Sequence, residues 1–308
     1  MNPTGAGTRL PGTPEPTHRW TGGDGLAIVG DVWGPERAPL VVLLHGGGQT
    51  RHAWKGTGEH LGACGYRTVA LDARGHGDSD WSTDGDYLQP AMVEDLVAVL
   101  DQIDERPRPV LVGASMGGGV ALSAIGNNRV EAAALVLVDI APRIELEGVT
   151  KIREFMFANP DGFASLEEVA DAISGYQPHR ERPTSTAGLG KNVRLGTDGR
   201  YRWHWDPRFM QGPRNLGMRQ EQQERAARNV TVPTLLVRGG LSDIVSEQGA
   251  REFLDLCPHA EYVDVGGASH MVAGDRNDVF GEAVVDFLTR TVPAGPVPPD
   301  HEVRPTVR

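Results

Sequence analysis

Ser115 stands in Gly113-Ala114-Ser115-Met116-Gly117, with a glycine two places to either side. An apolar run over 109–113 precedes it, and an Ala- and Gly-rich helical stretch over 116–125 follows. In that strand–turn–helix setting the pattern reads as a nucleophile elbow: a tight turn pushes the hydroxyl outward, and the new helix offers unpaired N–H groups. Attack on an acyl carbonyl creates an oxyanion that needs preorganised donors. The run His45-Gly46-Gly47-Gly48, directly after the apolar stretch 40–44, can supply one. We assign the donors to the backbone N–H groups of Gly47 and Met116, with Gly46 as the alternative to Gly47. His45 itself is expected to brace the loop.

The nucleophile needs a base within hydrogen-bond reach. Of ten histidines, His270 is the best placed, on the glycine-rich loop Gly266-Gly267-Ala268-Ser269-His270 after the last apolar run. His76, in Asp72-Ala73-Arg74-Gly75-His76-Gly77-Asp78-Ser79, is expected in a tight turn, and His204 is placed to touch substrate. The base in turn needs an acid to orient it. Asp243, after the run 234–238, is preferred. Asp139, after 135–138, is the alternative; otherwise Asp139 would pair with Arg143 or cap the entrance to the insertion.

These residues require elements that bring them together. Apolar runs at 26–33, 40–44, 66–71, 109–113, 135–138, 234–238 and 262–265 lack strict polar alternation, as suits strands covered on both faces. Helical spacing recurs between them at 92–103, 116–125, 246–256 and 279–288. The alternation implies a mostly parallel sheet with helices on both faces, and ligands at the carboxyl ends of its strands. It breaks after Asp139. The stretch 141–229 shows helical segments at 151–157, 166–173 and 215–228 and no convincing core strand, so it reads as a cap. The expected organisation is a tail over 1–18, a core over 19–140 and 230–292, a helical cap over 141–229, and a tail over 293–308. Both tails are Pro-rich and are expected to be disordered.

Composition narrows the classes. The chain of 308 residues is 39% apolar with a formal net charge of −11, which argues against a nucleic-acid partner. Two cysteines, Cys64 and Cys257, have no metal-ligand spacing and suit a reducing cytoplasm. No apolar run is long enough to span a bilayer, and the amino-terminal segment lacks secretory-signal character. No metal or organic cofactor is expected.

Together, His45-Gly46-Gly47-Gly48, the stretch 72–79, Gly113–Gly117, Asp243 and His270 resemble the serine-nucleophile branch of the α/β-hydrolase superfamily, including its esterases and cofactor-free peroxidase-like members. The resemblance spans residues 41–270. It implies an eight-stranded, mostly parallel sheet with a helical cap inserted after strand 6. The segment Trp203-His204-Trp205-Asp206-Pro207-Arg208-Phe209 is similar to cap segments of relatives labelled peroxidase or epoxide hydrolase. Epoxide hydrolases and haloalkane dehalogenases attack with aspartate, however, and Ser115 implies an acyl-enzyme instead. The proline common after the first His-Gly pair in those relatives is also absent here. The expected activity is hydrolysis of a carboxylic ester or related acyl compound. Carbon–carbon bond hydrolysis and perhydrolysis use the same triad, and a non-catalytic ligand receptor is the alternative from another class. A small, hydrophobic substrate would meet Phe155, Phe157, Trp203, Trp205 and Phe209.

Overall fold

Runs of Val and Leu without polar alternation build the centre of the sheet, where a strand must be apolar on both faces. The structure, a computed structural model, describes residues 7–103, 108–177, 182, 185–211, 215–270 and 277–295. Its strands are β1 (Thr8–Arg9), β2 (His18–Thr21), β3 (Ala27–Trp33), β4 (Leu40–Leu44), β5 (Arg67–Leu71), β6 (Val110–Ala114), β7 (Ala134–Val138), β8 (Val193–Leu195), β9 (Tyr201–Trp203), β10 (Thr234–Gly239) and β11 (Glu261–Val265). Its α-helices are α1 (Lys55–Ala63), α2 (Gln89–Ile103), α3 (Met116–Gly126), α4 (Leu146–Phe157), α5 (Leu166–Tyr176), α6 (Leu216–Asn229), α7 (Glu247–Leu256) and α8 (Asn277–Thr291).

Eight strands form the main sheet in the order β11-β10-β7-β6-β4-β5-β3-β2. Only β3 runs against the others, pairing antiparallel with both β2 and β5. Alternate residues of each central strand enter opposite layers. Val42, Leu44 and Leu111 pack on the side of α2 and α3, whereas Val41, Leu43, Val110 and Val112 meet Trp54, Leu61, Phe280 and Phe287 on the other. Register aligns the strand ends: Leu44 faces Gly113, Ala114 faces Val138, and Val138 faces Val237. The residues following β4, β6, β7 and β10 therefore emerge side by side. The chain order reverses between β4 and β6, which is where a crevice opens in such sheets.

The insertion follows β7, the sixth strand of the main sheet, and carries α4, α5, β8, β9 and α6 before β10 resumes the core. It is not purely helical. β8 and β9 pair antiparallel, and β1 adds to them as a third strand, with Thr8 opposite Leu195. This corrects the expectation of a disordered tail over 1–18. Residues 8–9 are a strand, and Arg9 reaches Asp78. Residues 1–6 and 296–308 lie outside the described residues.

Candidate active site

At the end of β6 the chain turns sharply at Ser115 (φ 45°, ψ −109°) and enters α3. Such a conformation is costly for a residue with a side chain and persists only when its surroundings impose it. Here they do. The Ser115 N–H donates to Val138 O (3.1 Å), its carbonyl accepts from the Gly119 N–H (3.0 Å), and the Gly117 N–H donates to His45 O (3.2 Å). A Cβ on Gly113 would meet the Gly117 backbone, and one on Gly117 would meet the Leu44 carbonyl. The flanking glycines thus let the first turn of α3 pass between β4 and β6. Ser115 is left half-buried.

Asp139 leaves β7 one residue beyond the carbonyl that Ser115 binds, and it too has positive φ (49°). Its side chain is fully buried and accepts three hydrogen bonds. Oδ1 accepts from the Gly239 N–H at 3.0 Å; Oδ2 accepts from Ser242 Oγ and from His270 Nδ1, each at 2.5 Å. The His270 side chain retains 14% of its accessible surface. With Nδ1 bound to Asp139, Nε2 meets no partner among the described residues. Among the described residues no hydrogen bond joins the Ser115 hydroxyl to that ring; the two share the sheet edge.

The acid is where the structure departs from expectation. Asp243 does not meet His270. Its side chain is 46% exposed, lies 3.4 Å from Lys151 Nζ, and faces a cleft of about 680 Å³ lined also by Pro142, Ile144, Leu146 and Leu216. The loop after β10 turns Ser242 inward and Asp243 outward. Ser242 Oγ accepts from the Ile244 and Val245 N–H groups (3.1 and 3.2 Å) while it donates to Asp139. Arg143 is likewise elsewhere, on Glu252 (2.7 Å). Ser242 escaped the sequence reading. Its only signal is a small polar residue in a post-strand loop, of the kind that bonds its own backbone two or three residues on.

The glycine loop after β4 distinguishes its own N–H groups. The Gly46 N–H is committed to Gln49 Oε1 at 2.9 Å. Among the described residues, those of Gly47 and Met116 meet no acceptor. His45 is buried, with Nδ1 on Gly46 O (2.8 Å) and Nε2 on the Ala73 N–H (3.0 Å). Burial lowers its pKa from the ordinary imidazole value, outweighing the raising effect of Asp72.

Residues 39–276 match the model of the α/β-hydrolase fold family. The chain belongs to the α/β-hydrolase fold family. It is 30% identical over 264 residues to an esterase of Mycobacterium tuberculosis, Rv0045c, covering 83% of this chain and 84% of that protein. The crystal structure of that esterase superposes with a TM-score of 0.70 at 27% identity, over 90% of this chain and 92% of the other. The sn-1-specific diacylglycerol lipase ABHD11 of Mus musculus is 28% identical over 265 residues, 83% of this chain and 82% of that protein.

In this α/β-hydrolase the insertion reaches the glycine loop directly. The Phe209 ring stands over Gly47, and Trp205 and Met156 stand over Gly48. Trp203 stacks on Trp205 (4.9 Å between centroids), and Phe155 tilts against Trp203 (5.3 Å). Phe209 and Trp205 therefore abut the loop, whereas Trp203 and Phe155 lie one and two rings behind. Phe157 is exposed, and Met156 was missed because sulfur-bearing side chains carry no site signal of their own. His204 is fully buried, with both ring nitrogens on backbone groups, which corrects its expected place against substrate.

The stretch 72–79 holds the glycine loop, its Ala73 N–H on His45 and its His76 on the Gly48 N–H. Buried Arg51 bonds Asp72 (2.6 Å), Asp78 (2.9 Å) and Asp31 (3.0 Å), and Arg194 of the insertion bonds Asp78 (2.8 Å). Burial alone would raise the Asp78 pKa; Arg194 and Arg51 hold it below the ordinary value. Among the described residues no group of three or more His, Cys, Asp or Glu side chains is arranged to hold a metal ion.

Proposed function

We propose that this hydrolase cleaves carboxylic esters through an acyl-enzyme, with Ser115, His270 and Asp139 as the triad. The observation that carries the reading is the 2.5 Å contact between His270 Nδ1 and buried Asp139, beside the outward turn at Ser115. Asp139 fixes the tautomer that leaves Nε2 free to take a proton and stabilises the imidazolium that results. Ser115 Oγ attacks the ester carbonyl as His270 accepts its proton. The N–H groups of Gly47 and Met116 receive the oxyanion, since neither meets an acceptor among the described residues. His270 then protonates the departing alcohol, and a water activated by the same ring releases the acid. Contacts between nucleophile and base commonly tighten only when substrate binds.

The names of the esterase and lipase relatives support esters over carbon–carbon cleavage or perhydrolysis. Phe209, Trp205 and Met156 over the glycine loop favour a small, hydrophobic acyl compound, with the insertion acting as its cap. Among the described residues no helix is long and apolar enough to cross a membrane. The free thiols of Cys64 and Cys257 accord with a cytoplasmic site of action.

The test is labelling with a fluorophosphonate probe followed by peptide mass mapping. An adduct on Ser115, together with loss of 4-nitrophenyl butyrate turnover in a folded Ser115→Ala variant, is the expected result. An unlabelled wild type, or a variant that retains its rate, overturns the assignment.

A further inference from the structure

Three successive peptide groups of the glycine loop each end on a different histidine. The Gly46 carbonyl belongs to the same peptide plane as the Gly47 N–H, and it accepts from His45 Nδ1 (2.8 Å). The next plane contributes the Gly48 N–H, which donates to His76 Nε2 (3.1 Å). The third contributes the Gly48 carbonyl, 3.3 Å from His204 Nε2. Each ring's other nitrogen is also engaged: His45 Nε2 accepts from the Ala73 N–H (3.0 Å), His204 Nδ1 accepts from the Gly77 N–H (2.8 Å), and His76 Nδ1 donates to the Arg74 carbonyl (3.1 Å). These partners fix the tautomers, and each ring must be neutral to offer one acceptor and one donor. All three are buried to 1% exposure or less. Two of the rings belong to the core. His204 belongs to the insertion and follows directly on β9.

We propose that His204 is a positioning residue for the oxyanion site, through which the insertion sets the orientation of the glycine loop. The inference rests on the reading of Gly47 as an oxyanion donor. Gly48, at φ +74°, has no side chain to stiffen the turn, so the loop's orientation depends on what grips its peptide groups. His45 holds the Gly46 carbonyl, His76 the Gly48 N–H and His204 the Gly48 carbonyl. Losing the His204 contact frees the carbonyl end of the loop, so that the Gly47 N–H two peptide groups away drifts from the developing charge, which weakens binding of the tetrahedral state more than binding of the ester.

Two substitutions separate the halves of the ring. In His204→Asn the amide oxygen can replace Nδ1 as acceptor for Gly77, but nothing reaches the Gly48 carbonyl. In His204→Gln the amide nitrogen can replace Nε2 as donor to Gly48. We expect His204→Asn to lower kcat roughly 10- to 100-fold, less than outright loss of an oxyanion donor, with KM nearly unchanged. The Ki of an aryl trifluoromethyl ketone, whose adduct on Ser115 carries the oxyanion, should rise by the same factor. His204→Gln should recover most of both. Unchanged kcat and Ki in His204→Asn, or a loss that Gln does not recover, overturns the proposal. Should the Asn variant not fold, ¹⁵N spectra of the wild-type imidazoles decide: a His204 Nε2–H signal that shifts on ketone binding supports it, and an unmoved signal overturns it. Fluorophosphonate labelling of the wild type keeps the two readings apart. An unlabelled Ser115 removes both, whereas a labelled wild type with an unaffected Asn variant removes only this one.

Discussion

Asp139 and Asp243 are chemically the same residue, each following an apolar strand at the same edge of the sheet. Chain order from nucleophile to acid to base fits either, so the choice was not legible in the sequence. What separates them is local backbone: Asp139 turns at φ 49° into a buried site with three donors, while Asp243 shares a solvent-facing contact with Lys151. Asp139→Asn should therefore lower kcat on the order of 10⁴-fold, by favouring the wrong imidazole tautomer. Asn tolerates positive φ, so the fold should survive. Asp243→Asn removes an exposed, solvent-screened ion pair and should leave ester turnover within a few-fold of wild type. Steady-state assays of the two variants, with circular dichroism to confirm folding, check the pair.

Titration behaviour belongs to the same scale. Burial, reinforced by His76 and Arg194, holds the His204 pKa well below the ordinary value, and His45 is also lowered by burial, opposed by Asp72. Both bind a proton less readily in the folded protein than in the unfolded chain, whose imidazoles titrate near 6.5. Stability is unaffected above that pH and falls as pH drops below it, by up to about 1.4 kcal/mol per pH unit for each such histidine. Urea unfolding between pH 7 and pH 5 should show this decline, and His204→Gln should make it shallower. An identical slope in that variant would mean that His204 does not contribute.

Among the elements, the strands at the centre of the sheet were legible because each is built on an apolar run: the expected 40–44 is β4, and 234–238 lies within β10; the edge strand β2 has no such run and was not read. The helices at 116–125 and 246–256 were legible from their spacing and lie over α3 and α7. The small sheet was not. β8 and β9 have three residues each and β1 has two, too few for alternation to stand out from loop composition. Glycine spacing carried information of a steric kind. Gly117 sits against the Leu44 carbonyl where α3 starts between two strands, so Gly117→Ala must either push α3 outward or bend β4. Overpacking of this sort costs about 1–3 kcal/mol. We expect a lower urea midpoint and a loss of ester turnover larger than the loss of stability explains, because the displaced turn carries Ser115 and Met116.

Across the molecule, the amino-terminal segment, core and insertion meet at a largely buried charge cluster. Asp78 accepts from Arg9 of β1, from Arg51 after the glycine loop and from Arg194 of β8, and Arg51 also donates to the Pro14 carbonyl (3.0 Å). A variant lacking residues 1–15 loses the β1 ladder, the Arg9 contact and an acceptor for Arg51. At about 0.5–1.5 kcal/mol for each hydrogen bond lost, stability should fall by roughly 1–3 kcal/mol. Proteolysis within the insertion should accelerate as β8 loses its neighbour. An unaltered melting curve together with an unaltered digestion pattern would show that β1 bears none of this load.

The pairing of Thr8 with Leu195 also has a temporal side. Thr8 Oγ1 bonds a carbonyl 187 positions further along the chain, and everything between must be synthesised before the two can meet. A contact across so long a separation forms late, because loop closure is unfavourable until the intervening structure has shortened the path. Residues 8 and 9 leave the ribosome early yet must wait, unpaired, for the insertion to emerge. During that interval the two edges of the future three-stranded sheet are open to other chains, until a stitch made backwards along the sequence closes them.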